Sequence, residues 1–356
     1  MLTADPPVSQ DVKTPLVGMT PQALRALATS LGEPAFRADQ LHHWLYVKNA
    51  RGFEEMSNLA KGFRSRLAQA YTVGCVTLAD KQTSSDGTVK YLFRLADGKT
   101  VESVLMRFED RDSLSACLST QAGCAVGCSF CATGALGFSR QLTPGEIVDQ
   151  YLAVQRDAGQ EVRNVVLMGQ GEPLLNFDAT VAAIELLNRS AEVGMRHITL
   201  STSGVAPQIL ELAERQWQLV LAVSLHAPDN ALRDELVPIN RKWPLEKLMG
   251  ALRAYVSQTG RRLTIEYVML AGVNDSPAQA QRLAGLLDGL KCNVNLIPYN
   301  PTGPQSRYQR PSRRAIDAFA RLVGQSGKKV TVRLERGVDI AAACGQLANR
   351  FQNQNA

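Results

Sequence analysis

Three cysteines, Cys124, Cys128 and Cys131, fall within eight residues in the run Cys-Ala-Val-Gly-Cys-Ser-Phe-Cys. Thiolates spaced four and three residues apart can converge on one soft metal centre. Zinc would normally take a fourth protein ligand from a second Cys/His pair at short spacing. No such pair follows: Cys117 stands seven residues upstream, and His42, His43, His197 and His226 are remote in sequence. Iron–sulfur clusters are held by cysteine thiolates, usually four. Three ligands on a four-iron cluster would leave one iron open to a substrate or cofactor. A zinc clip, or three unrelated buried cysteines, is the alternative reading. Cys75, Cys117, Cys292 and Cys344 are isolated, and an isolated cysteine is by default a small buried hydrophobe.

These cysteines need elements to position them. From residue 114 onward, short apolar runs alternate with helical patterns. The strand candidates are 114–119, 164–168, 197–201, 219–225, 262–270, 293–298 and 330–334. Helices lie between them: Thr143 and Glu146 form a capping box opening one, and Ser276-Pro277 opens another. The alternation predicts a parallel α/β architecture, barrel or doubly wound. The cysteine run then follows a strand and precedes a helix, at the end where α/β barrels build their sites. Upstream, Thr20-Pro21 and the spacing of Leu24, Leu27 and Leu31 start a helical domain over 16–72. Residues 73–110 read as a linker of three strands, with turns at Ser85-Asp86-Gly87 and Asp97-Gly98. A leader over 1–15, a core over 111–347 and a tail over 348–356 complete the expected organisation.

The chain has 356 residues, 45% of them hydrophobic and 20% charged, which is ordinary for a folded domain. No apolar run approaches the ~18 residues that span a membrane, and the N-terminal residues lack a secretory pattern. Seven cysteines, odd in number and mostly scattered, point away from a disulfide framework and toward a reducing, cytoplasmic compartment. The net charge is +6, and residues 301–356 carry ten Lys/Arg against three Asp/Glu. Such an imbalance suits an anionic partner such as nucleic acid, or is an inert basic surface.

Cys-x3-Cys-x2-Cys with Phe130 before the last cysteine resembles the radical S-adenosylmethionine superfamily. The segments QAGCAVGCSFCATGALGFSR, LMGQGEPLLN, ITLSTSG, VSLHAPDNALRDELVPIN, EYVMLAGVNDS, NLIPYNP and DIAAACGQLA are similar to the RlmN family of adenine carbon-2 RNA methyltransferases. The similarity runs from about Thr20 to Leu347. It departs at Gln170, where the family more often has methionine. It implies a partial (β/α)6-type TIM barrel with a small helical N-terminal domain and a short β linker. It also implies one [4Fe-4S] cluster on Cys124, Cys128 and Cys131. S-adenosylmethionine, two molecules per turnover, would bind at Gly171, Glu172, Ser201, Ser224, Leu225, His226 and Asn300. Taken alone, Glu172 would be a solvated loop acid, His226 a structural histidine and Asn300 a turn residue.

The same resemblance assigns the isolated cysteines. Cys344 matches a cysteine that accepts a methyl group, Cys117 its resolving partner, and Glu102 a proton acceptor. Carbon 2 of adenine is electron-poor and will not attack a methyl sulfonium, so a radical route is needed. The family's scheme runs through S-methylated Cys344, a covalent RNA adduct and a transient Cys117–Cys344 disulfide. The implied partners are 23S ribosomal RNA at the peptidyl-transferase centre, the adenosine 3′ to the tRNA anticodon, and a reductant such as flavodoxin or ferredoxin, with no DNA. Rival readings are carbon-8 methylation, a radical enzyme acting on a non-RNA substrate, and an iron–sulfur RNA-binding redox sensor. Arg37, Lys48, Arg51, Lys61, Arg64 and Arg66 could contact phosphate, while Trp44, Tyr46, Phe53 and Phe63 are expected mostly to fill the helical domain's own core.

Overall fold

The computed structural model describes residues 13–108, 113–302 and 306–348. Most of the expected leader, and all but residue 348 of the expected tail, lie outside them. The described end of the leader is not loose: β1 (Thr14–Pro15) pairs in parallel with β2 (Tyr71–Thr72). Between them come α1 (Pro21–Ser30), α2 (Phe36–His42) and α3 (Lys61–Ala70). Thr20 Oγ1 accepts from the Ala23 amide and Pro21 occupies the first turn, the geometry in which proline's missing N–H costs nothing. Leu24, Leu41, Tyr46, Phe53 and Phe63 are buried, so most of the aromatics build this domain's core. Trp44 packs partly buried against it, with Nε1 donating to Asn58.

The next three strands are β3 (Thr77–Thr83), β4 (Val89–Arg94) and β5 (Thr100–Phe108). They are not confined to a linker. Their antiparallel ladder continues through β6 (Ser113–Cys117) into the main sheet. A small antiparallel pair, β7 (Gln121–Gly123) and β8 (Phe138–Gln141), brackets the cysteine loop and the short α4 (Ala132–Leu136). Then follow α5 (Pro144–Ala158), β9 (Asn164–Leu167), α6 (Phe177–Arg189), β10 (Ile198–Thr202), α7 (Ala206–Glu214), β11 (Val220–Ser224), α8 (Asn230–Leu236), α9 (Leu245–Thr259), β12 (Leu263–Met269), α10 (Pro277–Leu286), β13 (Cys292–Pro298), α11 (Arg313–Gly324) and β14 (Lys329–Val332).

The sheet order is β14-β13-β12-β11-β10-β9-β6-β5-β4-β3, and every pairing from β6 to β14 is parallel. Six strand–helix repeats and a closing seventh strand thus make a partial barrel, with an antiparallel wing on one side. Along β9, β10 and β13 buried residues alternate with half-buried ones, the buried set facing the helices, while β11 and β12 are buried more continuously. Helix α5 starts as its sequence predicts, with Thr143 and Glu146 capping each other. Among the described residues no helix is long and apolar enough to cross a membrane.

The two ends of the sheet meet through loops. Asp86, at the tip of the β3–β4 hairpin, accepts from the Gly337 amide at 2.8 Å. Asp339 in turn accepts from Ser84 Oγ at 2.5 Å and from the Ser85 amide at 3.1 Å. This reciprocal clasp holds the segment that leads from β14 to Cys344.

Candidate active site

All active-site candidates sit at the carboxyl end of the parallel strands. A cavity of about 150 Å³ there is lined by Cys124, Cys128, Cys131, Gly171, Glu172, Ser201, Ser224, His226, Asn300 and Cys344. Residues 220 positions apart in sequence therefore share one wall. Leu225 does not reach it: its side chain is fully buried, and its amide and carbonyl are taken by Glu266 O and Arg233 Nε.

The cysteine loop is held by its own backbone. The Cys124 amide donates to Gly137 O and the Cys131 amide to Cys128 O. Gly127 takes φ +71°, which favours glycine. Phe130 packs edge-on against His226, with ring centroids 4.9 Å apart. Burial pushes the Cys124 thiol up to about 12 and raises Cys128 and Cys131 as well, with the neighbouring thiols adding to the rise at Cys128. Three half-buried sulfurs that resist carrying charge without a cation suit an iron–sulfur cluster. No three Cys, His, Asp or Glu side chains among the described residues gather tightly enough for a single metal ion. Three soft thiolate donors on one loop are the ligand type that iron–sulfur clusters take.

Opposite lies the loop 169–172. A Cβ on Gly171, which has φ +103°, would come within 2.6 Å of Gln121 Cβ, and one on Gly169 within 2.7 Å of the Leu118 carbonyl. Both glycines permit the loop to lie flat on residues 118–121. Gln170 is part of that lacing: its amide donates to Ser119 Oγ and its carbonyl accepts from Thr120 and Gln121. Glu172 is buried, and burial raises its carboxyl. One of its oxygens accepts from the Leu174 amide at 3.0 Å, the other from the Ser203 amide at 2.6 Å. It thereby ties the β9 loop to the β10 loop at the cavity wall.

His226 adopts φ +62°, and Nδ1 accepts from the Val268 amide at 3.0 Å. Burial holds its imidazole down at about 3, so it stays neutral. Arg233 was not expected at the site. It is fully buried and bridges the strand ends, donating to Leu225 O at 3.0 Å, Ser203 O at 2.6 Å and Ser224 O at 3.2 Å.

A second cavity, about 640 Å³, adjoins the first. Cys117 lines it, and Cys131 and Cys344 line both. Val104 pairs with Cys117 across β5–β6, and Ala342 and Leu347 close over them as a small apolar cluster. The Cys344 segment is pinned to the cysteine loop: the Ala132 amide donates to Gly345 O at 2.7 Å, and Thr133 Oγ1 to Leu347 O at 2.6 Å. Cys344 is exposed, and Arg333 Nη1 lies 2.8 Å from its sulfur. Burial pushes the Cys117 thiol up to about 12.

Glu102 lines neither cavity. It is fully buried at the catalytic end of β5, with Lys90 Nζ 3.5 Å from its carboxylate. Ser119 Oγ donates to its carbonyl at 2.6 Å. Sequence reasoning passed over Arg333 and Glu266, both of which line the first cavity. Glu266 had a usable signal, a charged residue inside the apolar run of β12.

Residues 118–284 match the family model described as Radical SAM superfamily, and residues 14–73 match that of the Ribosomal RNA large subunit methyltransferase N-terminal domain. A Synechococcus elongatus protein named probable dual-specificity RNA methyltransferase RlmN is 48% identical over 95% of this chain and 94% of its own. A Thermotoga neapolitana protein of the same name is 47% identical, over 90% and 93%. The crystal structure of a radical SAM methyltransferase from Sphaerobacter thermophilus superposes with a TM-score of 0.90, at 46% identity, covering 94% of this chain and 99% of that one.

Proposed function

Because the chain belongs to the RlmN family of radical S-adenosylmethionine proteins, we propose that it methylates carbon 2 of adenine in RNA by a two-cysteine mechanism. The proposed substrates are 23S ribosomal RNA at the peptidyl-transferase centre and the adenosine 3′ to the tRNA anticodon. The observation that carries the reading is the place of Cys344. It borders the first cavity beside the three cluster cysteines and the second beside Cys117.

Cys124, Cys128 and Cys131 would hold the [4Fe-4S] cluster. Gly171, Glu172, Ser201, Ser224, His226 and Asn300 would surround S-adenosylmethionine, with Leu225 contributing backbone only. When bound, a reduced cluster and S-adenosylmethionine supply a deoxyadenosyl radical able to take a hydrogen atom from a methyl group. The protein's own part is to carry the carbon. Cys344 thiolate displaces a methyl group from one S-adenosylmethionine, and Arg333 stands where it stabilises that thiolate. Keeping the carbon on sulfur joins RNA to protein during transfer. Once the carbon-2 proton has been lost, Cys117 attacks Cys344 Sγ: the S–S bond forms, the S–CH2 bond breaks, and the departing carbon takes up a proton to become the methyl group of the released RNA. The target adenine must leave its stack to reach this wall.

We assign the carbon-2 proton to Glu102, the carboxylate two residues from the Val104–Cys117 pair. A second reading favours Glu266, which lines the first cavity and whose carboxyl is raised by burial. Glu102→Gln and Glu266→Gln decide between them: the variant that halts after adduct formation names the acceptor. Digesting modified RNA and identifying the methyladenosine isomer tests the reaction itself. 2-Methyladenosine is expected; the 8-methyl isomer overturns the carbon-2 assignment. Methyl transfer to a non-RNA acceptor, or none at all, overturns the function.

A further inference from the structure

A Cys117–Cys344 disulfide must be reduced before Cys344 can accept another methyl group. Cys117 is difficult to reach from the mouth of the site. It is 7% exposed, with Ala342, Leu347 and Ile340 packed around it. It does, however, line the 640 Å³ cavity, and that cavity continues down the lumen to Thr264, Asn293 and Lys329 near the opposite ends of β12, β13 and β14. TIM-barrel interiors are normally filled by layers of bulky branched side chains. Here the far half is lined by Ser115, Thr264, Asn293, Asn295, Thr331 and Lys329, together with Met106 and Phe108 of β5. Lys329 and Thr331 are exposed, so the cavity meets solvent at the β14 edge. Three cations, Lys329, Arg333 and Arg336, line it against one carboxylate, Glu335, which is itself paired with Arg310, so its net charge is positive. Its volume is that of a site for a molecule of small-peptide size.

We propose that this lumen admits a low-molecular-weight thiol bearing carboxylates, which reduces the Cys117–Cys344 disulfide from below; the inference rests on the two-cysteine reading above. The incoming thiolate attacks Cys117 Sγ and the S–S bond breaks. Cys344 leaves as a thiolate beside the Arg333 guanidinium, which favours departure of that sulfur. A second thiol molecule attacks the mixed disulfide, releasing Cys117 as a thiol and the reductant as its own disulfide. Two reductant thiols are oxidised for each protein disulfide reduced.

The test uses the full chain, oxidised with diamide, with the Cys117–Cys344 bond mapped by mass spectrometry. Reduction is followed with reduced glutathione as the probe, in wild type, Asn293→Trp and Lys329→Glu. Blocking the lumen with Asn293→Trp is expected to slow reduction at least about tenfold, since exchange depends on access. Lys329→Glu, a surface change that leaves folding intact, is expected to slow glutathione several-fold and to leave uncharged 2-mercaptoethanol unaffected. Single-turnover RNA methylation by the pre-reduced variants is expected to match wild type. Unchanged glutathione rates in both variants overturn the inference, as does reduction by thioredoxin where glutathione fails. Loss of single-turnover methylation in Asn293→Trp with unchanged reduction assigns the lumen to the target nucleoside and overturns it too. If diamide never joins Cys117 to Cys344 in wild type, the two-cysteine reading itself fails.

Discussion

The molecule holds two groups of cysteines built on opposite plans. Cys124, Cys128 and Cys131 lie on one loop, whose turns and backbone hydrogen bonds set their spacing. Cys117 and Cys344 lie 227 residues apart, one at the end of β6 and the other on a segment after the last strand. Their meeting depends on the whole parallel sheet, the β5–β6 pairing and the clasp between the hairpin tip and residues 337–339. The first group is local chemistry; the second is an outcome of topology. Metal loading should therefore survive damage that separates the pair.

Cys344→Ala is the sharpest way to divide the two. RNA methylation should fall by at least about 10³-fold, as expected for loss of a covalent nucleophile. Iron content and reductive cleavage of S-adenosylmethionine should persist. Loss of iron along with activity would break the distinction.

Glu172→Gln probes the wall that both groups share. The Leu174 and Ser203 amides would lose charge-assisted partners, at a cost of about 1.5–3 kcal/mol. Urea unfolding should register that loss, and S-adenosylmethionine affinity measured by calorimetry should weaken with it.

His226 gives a pH signature of the local half. The folded chain keeps it neutral down to about pH 3, while an unfolded histidine takes a proton near its ordinary value of ~6.5. Between those values the unfolded state binds more protons, so stability rises with pH, by up to about 1.4 kcal/mol per unit from this group. Stability is lost as the pH falls from about 6.5 toward 3. His226→Gln should flatten that slope in urea titrations at pH 5 and pH 7.

Thr133→Val is the smallest change. It removes the hydroxyl that holds Leu347 O, a net loss of about 0.5–1.5 kcal/mol. Global stability should barely move, because the bond ties down one terminal segment. The yield of Cys117–Cys344 disulfide under mild oxidation should drop, since the Cys344 loop spends less time docked.

What could be read in the sequence follows the same division. The cysteine run, the Thr143–Glu146 capping box and all seven parallel strands are written in neighbouring residues, and the fold has them in place. The chemistry of Cys344 came through resemblance alone, because nothing in its own neighbourhood distinguishes it from a buried core cysteine. Arg333 was missed for that reason: one basic residue at a strand end carries no signal until the fold sets it against a sulfur. Residues 77–108 read correctly as strands and wrongly as a bounded linker, because alternation reports which face is buried and not which sheet the strand joins. Glu102 shows the converse. A lone Glu in an alternating strand ordinarily faces solvent, yet the pairing of β4 with β5 buries it beside Lys90.

The clasp between Asp86, Asp339 and their partners has a mechanical consequence. Among the described residues the terminal strands β3 and β14 do not pair, and a seam of carboxylates and amides helps to join the two ends of the sheet. Both acids are acidic beyond the ordinary range, Asp86 at about 2, although burial, which by itself raises it, is its largest single influence. Hydrogen bonds from the Gly337 and Thr88 amides and from neighbouring hydroxyls outweigh that burial. The two carboxylates thus stay charged, and the seam fastened, into more acidic solution than ordinary aspartates would allow. Its bonds join loops and not strands, so parting it would melt no strand, and the Cys344 segment would still be held by the Ala132 amide and the Thr133 hydroxyl.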